Sequence, residues 1–400
     1  MTADLLYSET ERDLAAALAD LLADRAAPAD VIARTERQET YDAKLWRTVA
    51  AEIGIAGLLI PEALGGAGAS YRELATAAEQ FGAFVPPIPY LGSAAVATAA
   101  LLSAARSAAA RTPATGTEPG TRAAPVSPAA GLLRQLADGS LTAALAVTTA
   151  TASGTPFPAL ARVAGRGDAA SGTVKLRGTI PAVADALPAD ILLVPADGVP
   201  SAVYVVEATA PGVHRTPLVS LDMTRQLCDV TLDDAPARQV AVGAAAEAAV
   251  SAGLAAGAAI LAAEQLGLAQ RCLDLTVEYV KERRQFARQI GSFQAVKHRL
   301  ADLWTTITLA RAASRYAAAC LADGDPDAPV AVALAKSACC DAAVTAAQEC
   351  VQLHGGIGFT WEHPAHLYLK RAKAASVAYG TPGAHRAALA DLVNLPAPGA

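Results

Sequence analysis

The 400-residue chain is 53% hydrophobic, much of it alanine, and only 4% aromatic, a composition for two or three domains of helices packed at close range. Its net charge of −6 excludes a general nucleic-acid binder, which needs a basic surface. The six cysteines (Cys228, Cys272, Cys320, Cys339, Cys340 and Cys350) include no CxxC pair, which fits neither zinc nor a disulfide framework and points to reduced thiols in a cytoplasm.

The opening MTADLLYSETERD is polar and acidic and shows no secretory signal. Ser8 and Glu11 have capping-box spacing, and Leu14, Leu18, Leu21 and Leu22 recur at helical spacing, so a helix is expected over Ser8–Ala26. Lys44–Ile53 reads as a second helix. The glycine-rich Gly65-Gly66-Ala67-Gly68 makes a tight loop before a third at Tyr71–Phe81, and Ser93–Ala110 gives a fourth. Neither GxGxxG nor GxxxxGK[ST] occurs at that loop. Arg111–Ala130, dense in Pro, Thr, Gly and Ser, reads as a flexible loop.

From Thr142 the texture changes. Thr142–Thr148, Thr173–Leu176, Asp190–Val194, Ala202–Val206 and Asp229–Leu232 are short strand-like runs separated by turn residues, as in a small antiparallel barrel or sandwich. Helical patterning returns at Ala245–Phe286, Phe293–Ala322, Pro329–His354, Pro364–Ala375 and Gly383–Leu395. The chain is therefore α+β: a helical domain (1–139), a β domain (140–239) and a helical bundle (240–400). No apolar run reads as a membrane span, since Ala249–Ala263 falls short of about 20 residues and Glu264 follows it.

Tyr279–Val296 reads as a helix end, a turn at Gly291-Ser292 and a new helix, with Arg283, Arg284 and Arg288 around Phe286. Such a group can grip a phosphate and cover a heterocycle, or can simply be a solvated helix end. Three segments carry a likeness: GLAQRCLDLTVEYVKERRQFARQIGSFQAVKHRLAD, QLHGGIGFTWEHPAHLYLKRAK and YGTPGAHR, supported by LLIPEALGGAGAS and SLDMTRQLCDVTLDDAP. Together they resemble the acyl-CoA dehydrogenase superfamily over nearly the whole chain. They are most similar to the actinobacterial type that dehydrogenates acyl-CoA thioesters, sterol side-chain forms included.

The resemblance implies an N-terminal helical domain, a central β domain and a C-terminal four-helix bundle. It implies FAD between the last two, reaching into a neighbouring subunit of a homodimer, a homotetramer or a heterotetramer with a homologous chain. Arg283 and Phe286 would touch the pyrophosphate and adenine half of FAD, with Gln352, Gly355 and Gly356 lining the other side. Val147 and Thr148 would meet the isoalloxazine edge, and Thr381 the ribityl or adenosine portion. The segment around Gly65–Ala77 would wall the acyl pocket, and the thioester carrier would be coenzyme A or an acyl carrier protein.

The chain departs from the family where a carboxylate removes the α-proton. One usual glutamate position holds Tyr379 and the other Gly257. Glu264 is the replacement candidate. Leu261, Leu268, Cys272 and Leu275 surround it at helical spacing, so its pKa should rise as befits a base. The alternative is a structural glutamate paired with Arg311 or Arg299. Tyr379, a phenol of pKa about 10, is a poor base and suits a hydrogen-bonding or space-filling role better. Glu362, His363 and His366 lack a further metal ligand and read as capping or surface groups. Three functions follow: a dehydrogenase with an unorthodox base, a partner subunit lending residues to FAD while a homologue supplies the glutamate, or a flavoenzyme of this fold turned to another biosynthetic reaction.

Overall fold

A computed structural model of the chain describes residues 4–111, 127–164 and 173–396. Ser8 caps helix α1 (Glu9–Arg25) through the expected reciprocal box with Glu11. After α2 (Pro28–Thr35), the stretch expected to be one helix from Lys44 divides into α3 (Ala43–Arg47) and a π-helical turn over Thr48–Glu52. A second capping box, Ser70 with Glu73, starts α4 (Tyr71–Phe84). The next helix also begins with a π-helical stretch, Leu91–Ala97, and continues as α5 (Thr98–Arg111). Of the loop expected at Arg111–Ala130, residues 112–126 lie outside the described residues, and its end is helical: Ser127 caps α6 (Pro128–Ala137).

The central strands are β1 (Ala143–Leu145), β2 (Ala161–Val163), β3 (Thr173–Ala184), β4 (Ile191–Asp197), β5 (Ala202–Glu207), β6 (Val213–Leu218) and β7 (Leu227–Val242). Their pairings close on themselves through β4, β2, β3, β7, β5 and back to β4, which makes the expected barrel. It is mixed rather than antiparallel, because β4 runs parallel to both β1 and β2. Leu176, Ile180, Leu192, Val206 and Val230 fill its interior.

The third part contains α7 (Ala244–Glu282), α8 (Gln294–Asp323), α9 (Ala328–His354), α10 (Ala365–Ala375) and α11 (Pro382–Leu392). Before α8 lie the two-residue strands β8 (Arg284–Gln285) and β9 (Arg288–Gln289). Helix α4 crosses α7 so closely that a Cβ on Gly82 would lie 1.8 Å from the Glu264 carbonyl oxygen, and one on Gly267 1.8 Å from that of Glu79. The N-terminal helices thus share one core with the bundle.

The expectation that no apolar run spans a membrane needs qualifying at the level of whole helices. By length and composition alone, the helices Leu91–Ala110, Ala244–Glu282 and Ala328–Phe359 could cross a membrane. The run Ala249–Ala263 is short, but the helix that carries it is 39 residues long. In this fold 61%, 67% and 67% of their apolar windows are buried within the protein.

Candidate active site

Helix α7 ends at Glu282, and Arg283 caps it with its N–H bonded to the Tyr279 carbonyl. The chain then forms a hairpin, Arg284 opposite Gln289 and Gln285 opposite Arg288, ahead of the expected turn at Gly291-Ser292, which is a 3-10 turn over Ile290–Ser292. Phe286 and Ala287 make its two-residue turn at φ +52° and +61°, the left-handed geometry that tight hairpins use. Of the three arginines grouped with Phe286, Arg288 stacks on Phe293, its guanidinium 3.8 Å from the ring centre. Phe286 is 88% exposed and meets Phe293 only edge-on, with ring centroids 6.2 Å apart.

Tyr279, one turn before Arg283, stacks on His354 at 4.4 Å. His354 is the last residue of α9, so the hairpin root and the Gly355-Gly356 bend lie at the same end of the bundle. Arg283 and Gln352 are exposed there. A Cβ on Gly355 or Gly356 would meet nothing within 4 Å.

The residues expected at the flavin ring lie elsewhere, in the seam between barrel and bundle. Val147 is buried, and the following Thr149 donates its N–H to the Ala182 carbonyl at 3.0 Å. The Thr149 carbonyl accepts the Tyr379 N–H at 2.7 Å. Tyr379 is 4% exposed at φ +53°, and its carbonyl accepts from His385 Nε2 at 2.8 Å. A Cβ on Gly257 would stand 2.8 Å from Tyr379 Cε1, so the two residues expected at the family's glutamate positions lie side by side. Burial raises the Tyr379 phenol pKa further, which keeps it protonated. Thr381 Oγ1 caps α11, accepting the Ala384 N–H at 3.2 Å. Two clefts adjoin this seam. One of about 360 Å³ is lined by Thr149, Asp222, Arg225, Lys373 and Val377, and one of about 400 Å³ by Ser153, Gly154, Ala255 and His385.

Glu264 is 1% exposed and held by two guanidinium groups, Arg225 at 2.6 Å and Arg371 at 2.8 Å. Arg371 also reaches Asp222 at 3.1 Å and Thr224 Oγ1 at 3.0 Å. Burial pushes the Glu264 carboxyl up, but Arg225 and Arg371 outweigh it and hold its pKa below the usual value, the reverse of the expected rise. The partners are also not those weighed from the sequence: Arg311 binds Gln270 at 2.6 Å and Arg299 binds Glu349 at 2.7 Å. A third acid in the same region, Asp185, accepts the Gly92 N–H at 2.9 Å. Burial raises its pKa, against the lowering pull of Arg225.

Arg371 could have been found in the sequence, because it falls between Leu367 and Ala375 at four-residue spacing, on the buried face of α10. Arg225 and Asp185 lie in irregular segments and have no periodic signal. His363 Nδ1 accepts the Ala365 N–H at the start of α10, and the His366 ring lies edge-on to Trp361. Among the described residues no three metal-ligating side chains gather.

Family models for the N-terminal domain of acyl-CoA dehydrogenase match residues 8–111, and those for its C-terminal domain match residues 247–393. The acyl-CoA dehydrogenase IpdE2 of Mycobacterium tuberculosis is 35% identical over 370 residues, 91% of each chain. The chain belongs to the acyl-CoA dehydrogenase family. Two solved structures share the fold. The ChsE4–ChsE5 complex of Mycobacterium tuberculosis is 27% identical at a TM-score of 0.80, covering 99% of this chain and 100% of the other. The Tcur3481–Tcur3483 steroid ACAD is 29% identical at 0.79, covering 96% and 98%. This membership makes the chain an oxidoreductase of a flavoprotein family.

The two groups of expected FAD residues fit such a cofactor unequally. Arg283, Phe286, Gln352, Gly355 and Gly356 lie at one bundle end, with open space over the two glycines. Val147, Thr148 and Thr381 border a seam that the Thr149–Tyr379 hydrogen bond already joins.

Proposed function

We propose that this acyl-CoA dehydrogenase family member works in the α,β-dehydrogenation of an acyl thioester as the base-free subunit of a heteromeric assembly. The observation that carries this reading is the state of the base positions: the Tyr379 ring takes the space that a side chain at Gly257 would need, and the acidic replacement expected from the sequence, Glu264, is committed to Arg225 and Arg371. FAD, when bound, supplies the acceptor for the β-hydrogen as hydride at N5. This chain's part is to present Arg283 to the pyrophosphate and Phe286 to the adenine. Gln352 and the backbone at Gly355 and Gly356 line the same cofactor, whose ring half lies in a homologous subunit.

An exposed guanidinium suits a phosphate that arrives from outside the chain. Similar proteins are described as paired chains, ChsE4 with ChsE5 and Tcur3481 with Tcur3483, which supports a heteromeric partner. The steroid activity named for the second pair makes a steroid-derived acyl-CoA the first substrate to test. The six free, buried cysteines support a reducing, cytoplasmic setting.

A second reading, a chain active as a homo-oligomer, draws on Asp185. Its buried carboxyl has a raised pKa and influences the titration of Tyr379, as a proton acceptor in that seam would.

Visible spectra separate the two. The chain purified alone should be colourless, and co-expression with the homologous subunit should give a yellow complex that acyl-CoA bleaches. Arg283→Ala should lower the FAD content of that complex without changing the melting of the isolated chain. A chain that is yellow alone and bleached by acyl-CoA overturns the heteromeric reading, and Asp185→Asn then tests the second.

A further inference from the structure

Lys336 lies in the middle of α9 and is 0% exposed. A buried ammonium is costly unless a carboxylate pairs with it, yet among the described residues none forms an ion pair with Lys336. Its Nζ has two neighbours, the Ala375 carbonyl at 3.0 Å and Cys340 Sγ at 2.8 Å. Lys336 and Cys340 are four residues apart on one helix and so share a face.

The nitrogen–sulfur separation is the informative one. It falls within the range of an N–H···O bond, although sulfur is the larger atom. Elsewhere in the same bundle sulfur keeps greater distances: Cys339 Sγ lies 3.4 Å from the Ala310 carbonyl, and Cys350 Sγ 3.6 Å from His354 Nδ1. Beyond Cys340 lies Gln265, whose Oε1 is 3.0 Å from the sulfur and whose Nε2 has no hydrogen-bond partner. Amine and thiol therefore meet in a closed compartment between α7, α9 and the end of α10.

We propose that Lys336 and Cys340 are a modification site at which dioxygen joins them through a covalent N–O–S bridge. One N–H bond of the amine and the S–H bond of the thiol break. One oxygen atom of dioxygen forms the new N–O and O–S bonds, and the other leaves as water with both hydrogens. Dioxygen is the oxidant, nitrogen and sulfur are oxidised, and no further reactant enters. Two single bonds through one oxygen hold nitrogen and sulfur at about the separation observed. The bridge removes the basic amine from the core and leaves an N–H that can still donate to the Ala375 carbonyl, four residues before Tyr379.

Intact-mass spectrometry tests this on the full chain, prepared in air, prepared without oxygen, and treated with dithiothreitol. The aerobic protein should be heavier by one oxygen less two hydrogens, and the reductant should reverse the gain. Trypsin should fail to cut after Lys336, and the gain should map to the peptide holding Lys336 and Cys340. Cys340→Ser should abolish the shift while Cys339 remains. Equal masses with and without oxygen overturn the proposal, as does a gain that persists in Cys340→Ser. If that variant does not fold, the wild-type comparison alone decides.

Discussion

A carboxylate as deeply buried as Glu264 is stabilised by what faces it, and here two guanidinium groups face it. Removing one charge from such a pair leaves the others buried and uncompensated, which costs roughly 3–5 kcal/mol. Glu264→Gln should therefore lose stability on that scale, read by denaturant unfolding. A base that acted on substrate would instead lose turnover at unchanged stability.

The pH dependence follows from the direction of the shift. The folded-state pKa of Glu264 lies below its unfolded value of about 4.3. Its contribution is therefore present above that pH and fades as pH falls through the folded pKa. The raised pKa of Asp185 works oppositely, since its share is full below the unfolded value and fades as pH rises through the folded one. Unfolding midpoints should fall on acidification below about pH 4.3, and less so in Glu264→Gln. Equal slopes in both proteins would remove Glu264 from the account. The burial of Glu264 was legible from its apolar neighbours at helical spacing. The sign of its shift was not, because Arg225 reaches it from an irregular segment 39 residues away.

Two elements show what local pattern can and cannot say. The α4–α7 crossing depends on absent side chains, and a periodic reading counts apolar positions without seeing which ones must be bare. Alanine is the better helix former by about 1 kcal/mol, so propensity alone makes Gly267→Ala stabilising. The contact says otherwise: its Cβ would press on the Glu79 carbonyl, and the helices would have to separate. A lower melting temperature, by a loss of about 3 kcal/mol or more, is the expected outcome, and an unchanged or higher one would refute this account of the crossing. The hairpin after α7 escaped notice for a related reason. Its turn residues are Phe286 and Ala287, whereas such turns are announced by Asn-Gly or Asp-Gly. The turn at Gly291-Ser292 was legible and is there, just before α8.

At the scale of the molecule, the order of helices, barrel and bundle was readable because each part has its own period and its own turn residues. The mixed pairing of the barrel was not, because β4 pairs in parallel with strands distant in sequence. Cofactor handling also belongs to this scale. If two unlike subunits share each FAD, absorbance of the purified mixed complex should give one flavin per pair of chains. One flavin per chain would contradict the sharing.

Phe286 stands at the tip of its hairpin with its ring almost wholly in water. If the proposed companion subunit covers this ring, the assembly gains roughly 1.5–3 kcal/mol from its burial. The lone chain carries it as it would any single apolar side chain at a surface. Such a contact would favour the paired state over the separate chains without making either insoluble.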